Sequence, residues 1–166
     1  MIRFRLVQHF AQPHETVGAT YRETYILDRQ AELPKVGRPQ LLSHEVDDDI
    51  LRQKVRYAFA GDLSAAVRRV VDPARLTWIE DSTSDRRTHR TEFRILPDHY
   101  AKLLHCSGTF TLRAKGSETT LRLAEGEMKV SVPFVGGKVE RAIVSGLEDQ
   151  ARGETELVET WADRRA

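Results

Sequence analysis

The chain has 166 residues, with 26 Lys and Arg against 25 Asp and Glu, so its net charge at pH 7 is close to zero. This balance excludes a global electrostatic field that would draw the protein to nucleic acid or to an anionic membrane. The length suits one domain over residues 1–166, because a chain of about 150 residues can bury about two-thirds of its unfolded surface. No apolar run approaches the ~20 residues of a membrane span, and the single Cys106 fits a reducing compartment. We therefore expect a cytoplasmic protein without integral membrane association.

The N-terminal part predicts one strand and a short helical insert. Ile2, Phe4 and Leu6 alternate with arginines, which is typical of a strand with one buried face. Pro13 suits the first turn of a helix. We expect two short helices or one bent helix between 13 and 32, followed by a loop through residues 34–39.

Residues 40–131 predict a series of antiparallel strands separated by turns. A short helix or turn is expected over 63–71. The apolar residues change parity between Leu123 and Met128, and a bulge at Gly126 would reconcile the two halves. The predicted strands are 41–46, 51–59, 76–80, 87–96, 104–113 and 121–132, with turns that include 47–49, 81–85 and 114–117.

The last stretch, from Val132 onward, predicts a long amphipathic helix. Such a helix is about 45 Å long and needs a large apolar partner surface, because it cannot be stable alone. The sheet must supply that surface. The residues on its apolar side are Val135, Val139, Ala142, Ile143, Gly146, Leu147, Leu157, Val158 and Trp161.

This order of elements resembles the helix-grip fold of the START/Bet v 1-like (SRPBCC, polyketide cyclase/lipid transport) superfamily. The segments PFVGGKVERAIVSGLEDQARGETELVETW and VRRVVDPARLTWIED are similar to an uncharacterised bacterial family of unknown function within it. The resemblance implies an α+β fold in which a curved antiparallel sheet of about seven strands wraps on a long C-terminal helix. A short helical insert follows the first strand.

The resemblance also implies a cavity between sheet and helix, which in relatives holds lipids, sterols, polyketides or other apolar molecules. Relatives range from enzymes to carriers, so no activity carries over to this chain. We expect binding or carriage of a small hydrophobic, lipid-like or polyketide-like ligand. The alternatives are a cyclase or dehydratase-like enzyme on the same scaffold, or a non-catalytic interaction protein with a collapsed cavity.

The apolar side of the helix is interrupted by Gly146, Gln150, Gly153 and Glu154, and all of these except Gly153 are candidate ligand contacts. Glu154 and Gln150 lie one turn apart in the apolar sector, where an unpaired carboxylate would be costly. They either give the cavity a polar anchor or acid/base, or they are solvated or paired with an arginine. Gly146 either lets the helix approach the sheet closely or makes room for a ligand.

The inward row of the sheet supplies the other candidates. By parity, His89 shares a face with Phe93, and Gln53 shares a face with Tyr57. Phe110 belongs to the apolar face of its own strand. A mostly hydrophobic lining with a few polar groups is typical of a ligand pocket. A histidine on an apolar face is also often only a satisfied core residue.

The sequence predicts neither a metal site nor a cofactor. The six histidines show no HxH, HExxH or Cys/His spacing. No GxSxG motif or Gly-rich phosphate loop is present. The arginines near residue 90 alternate into the outer face of the sheet, which predicts a solvated surface and not a nucleic-acid interface. The oligomeric state does not follow from the sequence.

Overall fold

The computed structural model describes residues 1–23, 37 and 39–165, with side chains described as far as Trp161. One seven-stranded antiparallel sheet has the order β1-β7-β6-β5-β4-β3-β2. The strands are β1 Ile2–Phe10, β2 Gln40–Asp47, β3 Ile50–Ala58, β4 Thr77–Asp85, β5 Arg90–Pro97, β6 Leu104–Ala114 and β7 Thr120–Val130.

The described helices are few and the last is much the longest. They are α1 His14–Arg22, α2 Ala65–Arg68, a 3₁₀ turn Pro73–Arg75 and α3 Gly136–Arg165. The α+β helix-grip architecture predicted from the sequence is confirmed. The rest of the helical region predicted over 13–32 lies largely outside the described residues. Within the described chain, no helix has the length and apolar character of a membrane span.

We call the face of the sheet that packs against α3 the inner face. Directly paired residues of neighbouring strands share a face, so each inner row can be followed across the sheet. One core cluster joins the inner residues Phe4, Phe93 and Met128 to Val139 of α3. The middle inner row consists of Phe4, Gly126, Gly108, Phe93, Ser82 and Gln53.

The predicted bulge in β7 is wrong, because β7 pairs without a register shift with both β1 and β6. Gly126 instead faces Gly108 where the two strands approach closely. A Cβ on Gly126 would lie 2.5 Å from the carbonyl oxygen of Ser107 and 2.7 Å from Phe4 Cζ. Continuous pairing has a second consequence: Arg122 points to the inner face, together with Ala124 and Met128.

The hairpin between β4 and β5 also differs from the prediction. Residues 81–85, predicted as a turn, belong to β4, and the turn lies at 86–89. Asp85 fixes this turn, since its carboxylate accepts a hydrogen bond from the backbone N–H of Arg87. His89 therefore lies in the turn with φ +53°, and not in the strand row of Phe93.

Helix α3 packs chiefly on β1, β7 and α1. Its first turns are fixed by Glu140, which the helical periodicity places on the polar side but which is buried in the structure. One carboxylate oxygen of Glu140 accepts the backbone N–H of Val130, the last residue of β7, at 2.9 Å. This bond joins the end of the sheet to the start of the helix.

Candidate functional site

Arg122 is the centre of the polar groups between the sheet and α3. It lies on the inner face of β7, between Gln8 of β1 and Leu112 of β6. Its guanidinium carbon is 4.0 Å from the ring centre of Tyr21 and 4.1 Å from that of Phe110. Two aromatic faces therefore hold the cation, an arrangement that strengthens as water is excluded.

The guanidinium also bonds polar partners from two other elements. Nη1 donates to Gln8 Oε1 at 2.8 Å and lies 3.4 Å from Glu154 Oε1 of α3. Gln8 Nε2 in turn donates to the carbonyl oxygen of Ala151 and to Thr155 Oγ1. The side chains of Arg122 and Glu154 are only 13% and 11% exposed. A paired, hydrogen-bonded charge of this kind is tolerated in the interior because its partners replace water.

Glu80 is a second inward carboxyl group, on β4. Burial raises its pKa to about 7; the charge of Arg122 opposes this rise and that of Glu154 adds to it. Burial likewise raises the pKa of the nearby Tyr57 hydroxyl well above its usual range, with Glu80 as a further cause. Both side chains nevertheless retain some accessible surface. A carboxyl group with this pKa is present in both protonation states near neutral pH and can therefore give or take a proton.

The structure brings together four of the predicted sheet and helix residues. Phe110 and Glu154 both contact Arg122. The charges of Glu80, Glu154 and Arg122 all influence the pKa of the Tyr57 hydroxyl. Phe93 stacks on Phe110 with ring centres 4.6 Å apart, and is itself buried in the core. Gln53 lies on the inner face farther toward the β2 edge, half-buried and paired in register with Ser82.

The two other predicted residues of α3 adjoin this region. Gln150 lies one turn before Glu154, and its Oε1 is buried without a hydrogen-bond partner among the described residues. Gly146 lies one turn earlier. A Cβ added there would meet nothing within 4 Å, so close packing is not what requires glycine at this position.

His89 is separate from these residues. In its turn it contacts the start of α1, where Nε2 lies 3.3 Å from Glu15 Oε1 and the ring meets that of His14 edge to face. Ligand atoms of His14, Glu15 and His89 lie within 4.8 Å of one another. The absence of a metal site was predicted from linear spacing alone, and the fold assembles three potential ligands that no linear motif reveals.

Two open clefts lie at the surface of the described chain. One, of about 400 Å³, lies beside the end of β1 and includes His9, Lys115 and Glu159. The other, of about 520 Å³, surrounds the β2–β3 turn and includes Asp48 and Arg87. Neither contains Glu80 or Arg122, so both clefts are distinct from the polar groups beneath α3.

Sequence reasoning missed Gln8, Tyr21, Glu80 and Arg122. Gln8 and Arg122 are polar residues in rows of period two that are otherwise apolar. Glu80 follows Trp78, but its row continues with Ser82 and Ser84. Arg122 was hidden by the assumed bulge, which assigned Leu121 and Leu123 to the inner face. An unbroken alternation through Gly126 would have revealed it.

A family model described as "Protein of unknown function (DUF2505)" matches residues 5–162. The chain belongs to this family. The family assignment expected from the closing helix is thereby confirmed. Among curated proteins, none matches the chain significantly by sequence.

Solved structures with the same fold include the Zhui aromatase/cyclase of Streptomyces sp. R1128 (TM-score 0.69, 16% identity, covering 99% of this chain and 94% of that one). A START superfamily protein of Mycobacterium smegmatis has a TM-score of 0.64 at 15% identity, covering 96% of this chain and 98% of that one. A norcoclaurine synthase point mutant of Thalictrum flavum has a TM-score of 0.60 at 16% identity, covering 95% and 93%. At these identities the similarity shows the fold alone.

Replacing Arg122 by Met should lower the free energy of unfolding by about 3–5 kcal/mol, because it leaves Glu154 buried without its cation. Adding Glu154→Leu should recover most of this loss, since an apolar pair of similar volume replaces the ion pair. Arg94→Met is the matched control: its pair with Asp81 is at the surface, so the loss should stay below about 1 kcal/mol. Urea denaturation of the wild type and these variants measures the values, and a small loss for Arg122→Met alone would contradict the assignment.

Glu80→Gln should make stability less dependent on pH. A pKa raised from 4.5 to about 7 means that the native state favours the protonated form. The cost of ionising the buried Glu80 therefore lowers the free energy of unfolding of the wild type. This loss grows from pH 4.5 to about 7 and stays constant above pH 7. The variant should gain up to about 3 kcal/mol over the wild type across that window. Denaturation midpoints at pH 4.5, 6 and 8 measure it, with the exposed Glu92→Gln as control; equal pH profiles for wild type and Glu80→Gln would refute the raised pKa.

Proposed function

We propose that this protein binds a small, largely apolar molecule carrying a hydroxyl or carbonyl oxygen, between the inner face of the sheet and α3. The observation that carries this proposal is that Glu80 and Tyr57 combine partial exposure with raised pKa values. Both keep accessible surface, yet burial is the main cause of their raised pKa values. Partly accessible side chains that are otherwise surrounded by protein are what a ligand-binding space between the sheet and α3 requires.

The distribution of packing supports such a space. Helix α3 packs on the β1 and β7 half of the sheet, whereas inner residues of β3–β5 are mostly half-buried. They combine apolar and hydrogen-bonding groups, as ligand pockets do. These half-buried inner residues are Gln53, Tyr57, Trp78, Glu80, Ser82, Ser84, Thr91 and Ile95. Burial of the ligand's apolar surface would supply most of the affinity, at about 25 cal/mol per Å².

The polar groups define what the ligand's oxygen would meet. Gln150 Oε1 has no hydrogen-bond partner among the described residues and would accept a ligand hydroxyl. Glu80 donates when protonated and accepts when ionised, so it can bond either a carbonyl or a hydroxyl. Similar structures named as an aromatase/cyclase and a norcoclaurine synthase support a scaffold that encloses small organic molecules. Lipid-like and polyketide-like ligands both fit this description. The cytoplasmic location of the protein stays a prediction.

Gly146→Leu should remove ligand binding while the protein stays folded. The space beside Gly146 is open, and leucine is a better helix former than glycine. We expect the affinity for a dansylated fatty acid and for 2-naphthol to fall about tenfold or more, a change of about 1.4 kcal/mol or more. Ser145→Leu, at the exposed neighbouring position, should bind as the wild type does.

Fluorescence titration measures the affinities, and native mass spectrometry of gently purified protein detects any co-purified molecule. If the wild type binds neither probe and carries no molecule, the binding function is wrong. Equal binding by Gly146→Leu would place the ligand elsewhere.

A second candidate function is catalysis by proton transfer, and the pKa of Glu80, raised to about 7, favours it. The base-catalysed ring opening of 5-nitrobenzisoxazole tests this capacity without knowledge of the natural substrate. The rate should rise with an apparent pKa of about 7 and fall about 100-fold or more in Glu80→Gln, the typical contribution of a positioned base. Asp81→Asn, on the outer face of the same strand, is the control. An unchanged rate in Glu80→Gln would exclude Glu80 as that base.

A further inference from the structure

A cluster of two imidazoles and one carboxylate joins α1 to the β4–β5 turn. His14 and Glu15 occupy the first turn of α1, and His89 ends the turn before β5. His89 Nε2 lies 3.3 Å from Glu15 Oε1, and His14 Nε2 lies 3.8 Å from the same oxygen. We call these three residues the His-Glu-His cluster.

The spacing suits a small metal ion. Four ligands placed about 2.0–2.1 Å from zinc at tetrahedral angles are separated by about 3.3–3.4 Å. The contact between His89 and Glu15 already has this length, and all three ligand atoms lie within 4.8 Å of one another. Modest side-chain rotations of His14 and Glu15, both partly exposed, would close the remaining distance.

The donor set selects the class of metal. Imidazole nitrogen suits zinc, copper, iron and nickel, whereas calcium and magnesium prefer oxygen ligands throughout. Two histidines and one carboxylate are also too few to complete a coordination shell. A bound ion would therefore keep at least one position for water or another ligand.

The backbone of His89 has a strained conformation, which fixes the position of its imidazole ring. Its φ of +53° lies in the left-handed region, which is uncommon for residues other than glycine and persists where the surroundings enforce it. The His89 carbonyl accepts the N–H of Leu112, which fixes the turn against β6. Nδ1 of His89 is buried without a hydrogen-bond partner among the described residues. Nε2, which faces Glu15, is therefore the ring nitrogen available to a metal ion.

The surrounding charges partly oppose a cation and partly favour it. The N-terminus of α1 carries positive partial charge, and Arg22 and Arg86 are close enough to interact with each other. Glu15, Asp49 and Asp85 balance them in the same region. The carboxylate of Glu15 is therefore needed, because two neutral imidazoles alone would not outweigh the helix end.

We propose that His14, Glu15 and His89 bind a divalent first-row transition metal ion of the zinc type and so tie α1 to the β4–β5 turn. Without a metal, the same atoms would form only the direct contact between His89 Nε2 and Glu15 Oε1. A metal site binds one ion per chain, whereas the direct contact alone binds none, so an experiment can distinguish the two.

The test uses the whole chain, free of any affinity tag and treated with a chelator. Titration with Co²⁺, followed by visible absorption, and with Zn²⁺, followed by calorimetry, should each show one ion per chain. His89→Asn and Glu15→Gln should each weaken binding at least about tenfold, since even the loss of an outer partner of a metal ligand typically costs about 10- to 100-fold. Asn tolerates positive φ, and Glu15 is exposed, so both variants should fold.

His105→Ala, an exposed histidine on the outer face of β6, is the control and should retain wild-type affinity. Zn²⁺ should also raise the melting temperature of the wild type and of the control, but not that of His89→Asn. The proposal is overturned if the wild type binds no Zn²⁺ near neutral pH. It is equally overturned if all variants bind alike, because binding would then come from other histidines.

Discussion

The rest of the structure depends on one buried ion pair, between Arg122 of β7 and Glu154 of α3. Removing two charges from water costs several kcal/mol, and geometry and additional hydrogen bonds must compensate for it. Gln8 supplies these bonds on one side, and the faces of Tyr21 and Phe110 enclose the other. The pair is thus satisfied only when β1, β6, β7, α1 and α3 are all in place. It sets the position of α3 over one half of the sheet.

The other half of the sheet has a different balance of charge and burial. Two inward carboxyl groups, Glu80 and Glu154, share the neighbourhood of the Arg122 cation. Glu154 has the direct contact with Arg122, but its charge only partly cancels the effect by which Arg122 lowers the pKa of Glu80. Burial then dominates and raises the pKa of Glu80 to about 7. The group suited to proton transfer therefore owes its state mainly to its enclosure by protein, against the opposing charge of Arg122.

The fold could be predicted from the sequence because local residue patterns determine the periodicity and the order of the helices and strands. Alternation predicted β1 and the later strands, and the apolar side of the closing helix predicted α3. The site was harder to predict, because it is made of exceptions to those patterns. Arg122 breaks an apolar row, and an assumed bulge at Gly126 concealed it. His89 was assigned to a strand because Asp81 to Asp85 look like turn residues, although Ser and Thr among them pair well in β4. Long-range proximity, as of His14 and His89, has no local signal.

The facing glycines of β6 and β7 have a consequence for which parts of the sheet tolerate substitution. A Cβ at Gly126 would collide with Ser107 and Phe4, and one at Gly108 would lie 2.8 Å from Gly126 Cα. The curvature of this part of the sheet is therefore a property of the backbone, and side-chain substitution there cannot adjust it. The positions where a side chain can change the space beneath α3 lie elsewhere, in the inward side chains of β3–β5 and at positions such as Gly146, where an added Cβ would meet nothing within 4 Å. Substitution at the paired glycines would disturb the backbone itself, whereas substitution on the opposite half would change only the surface beneath α3.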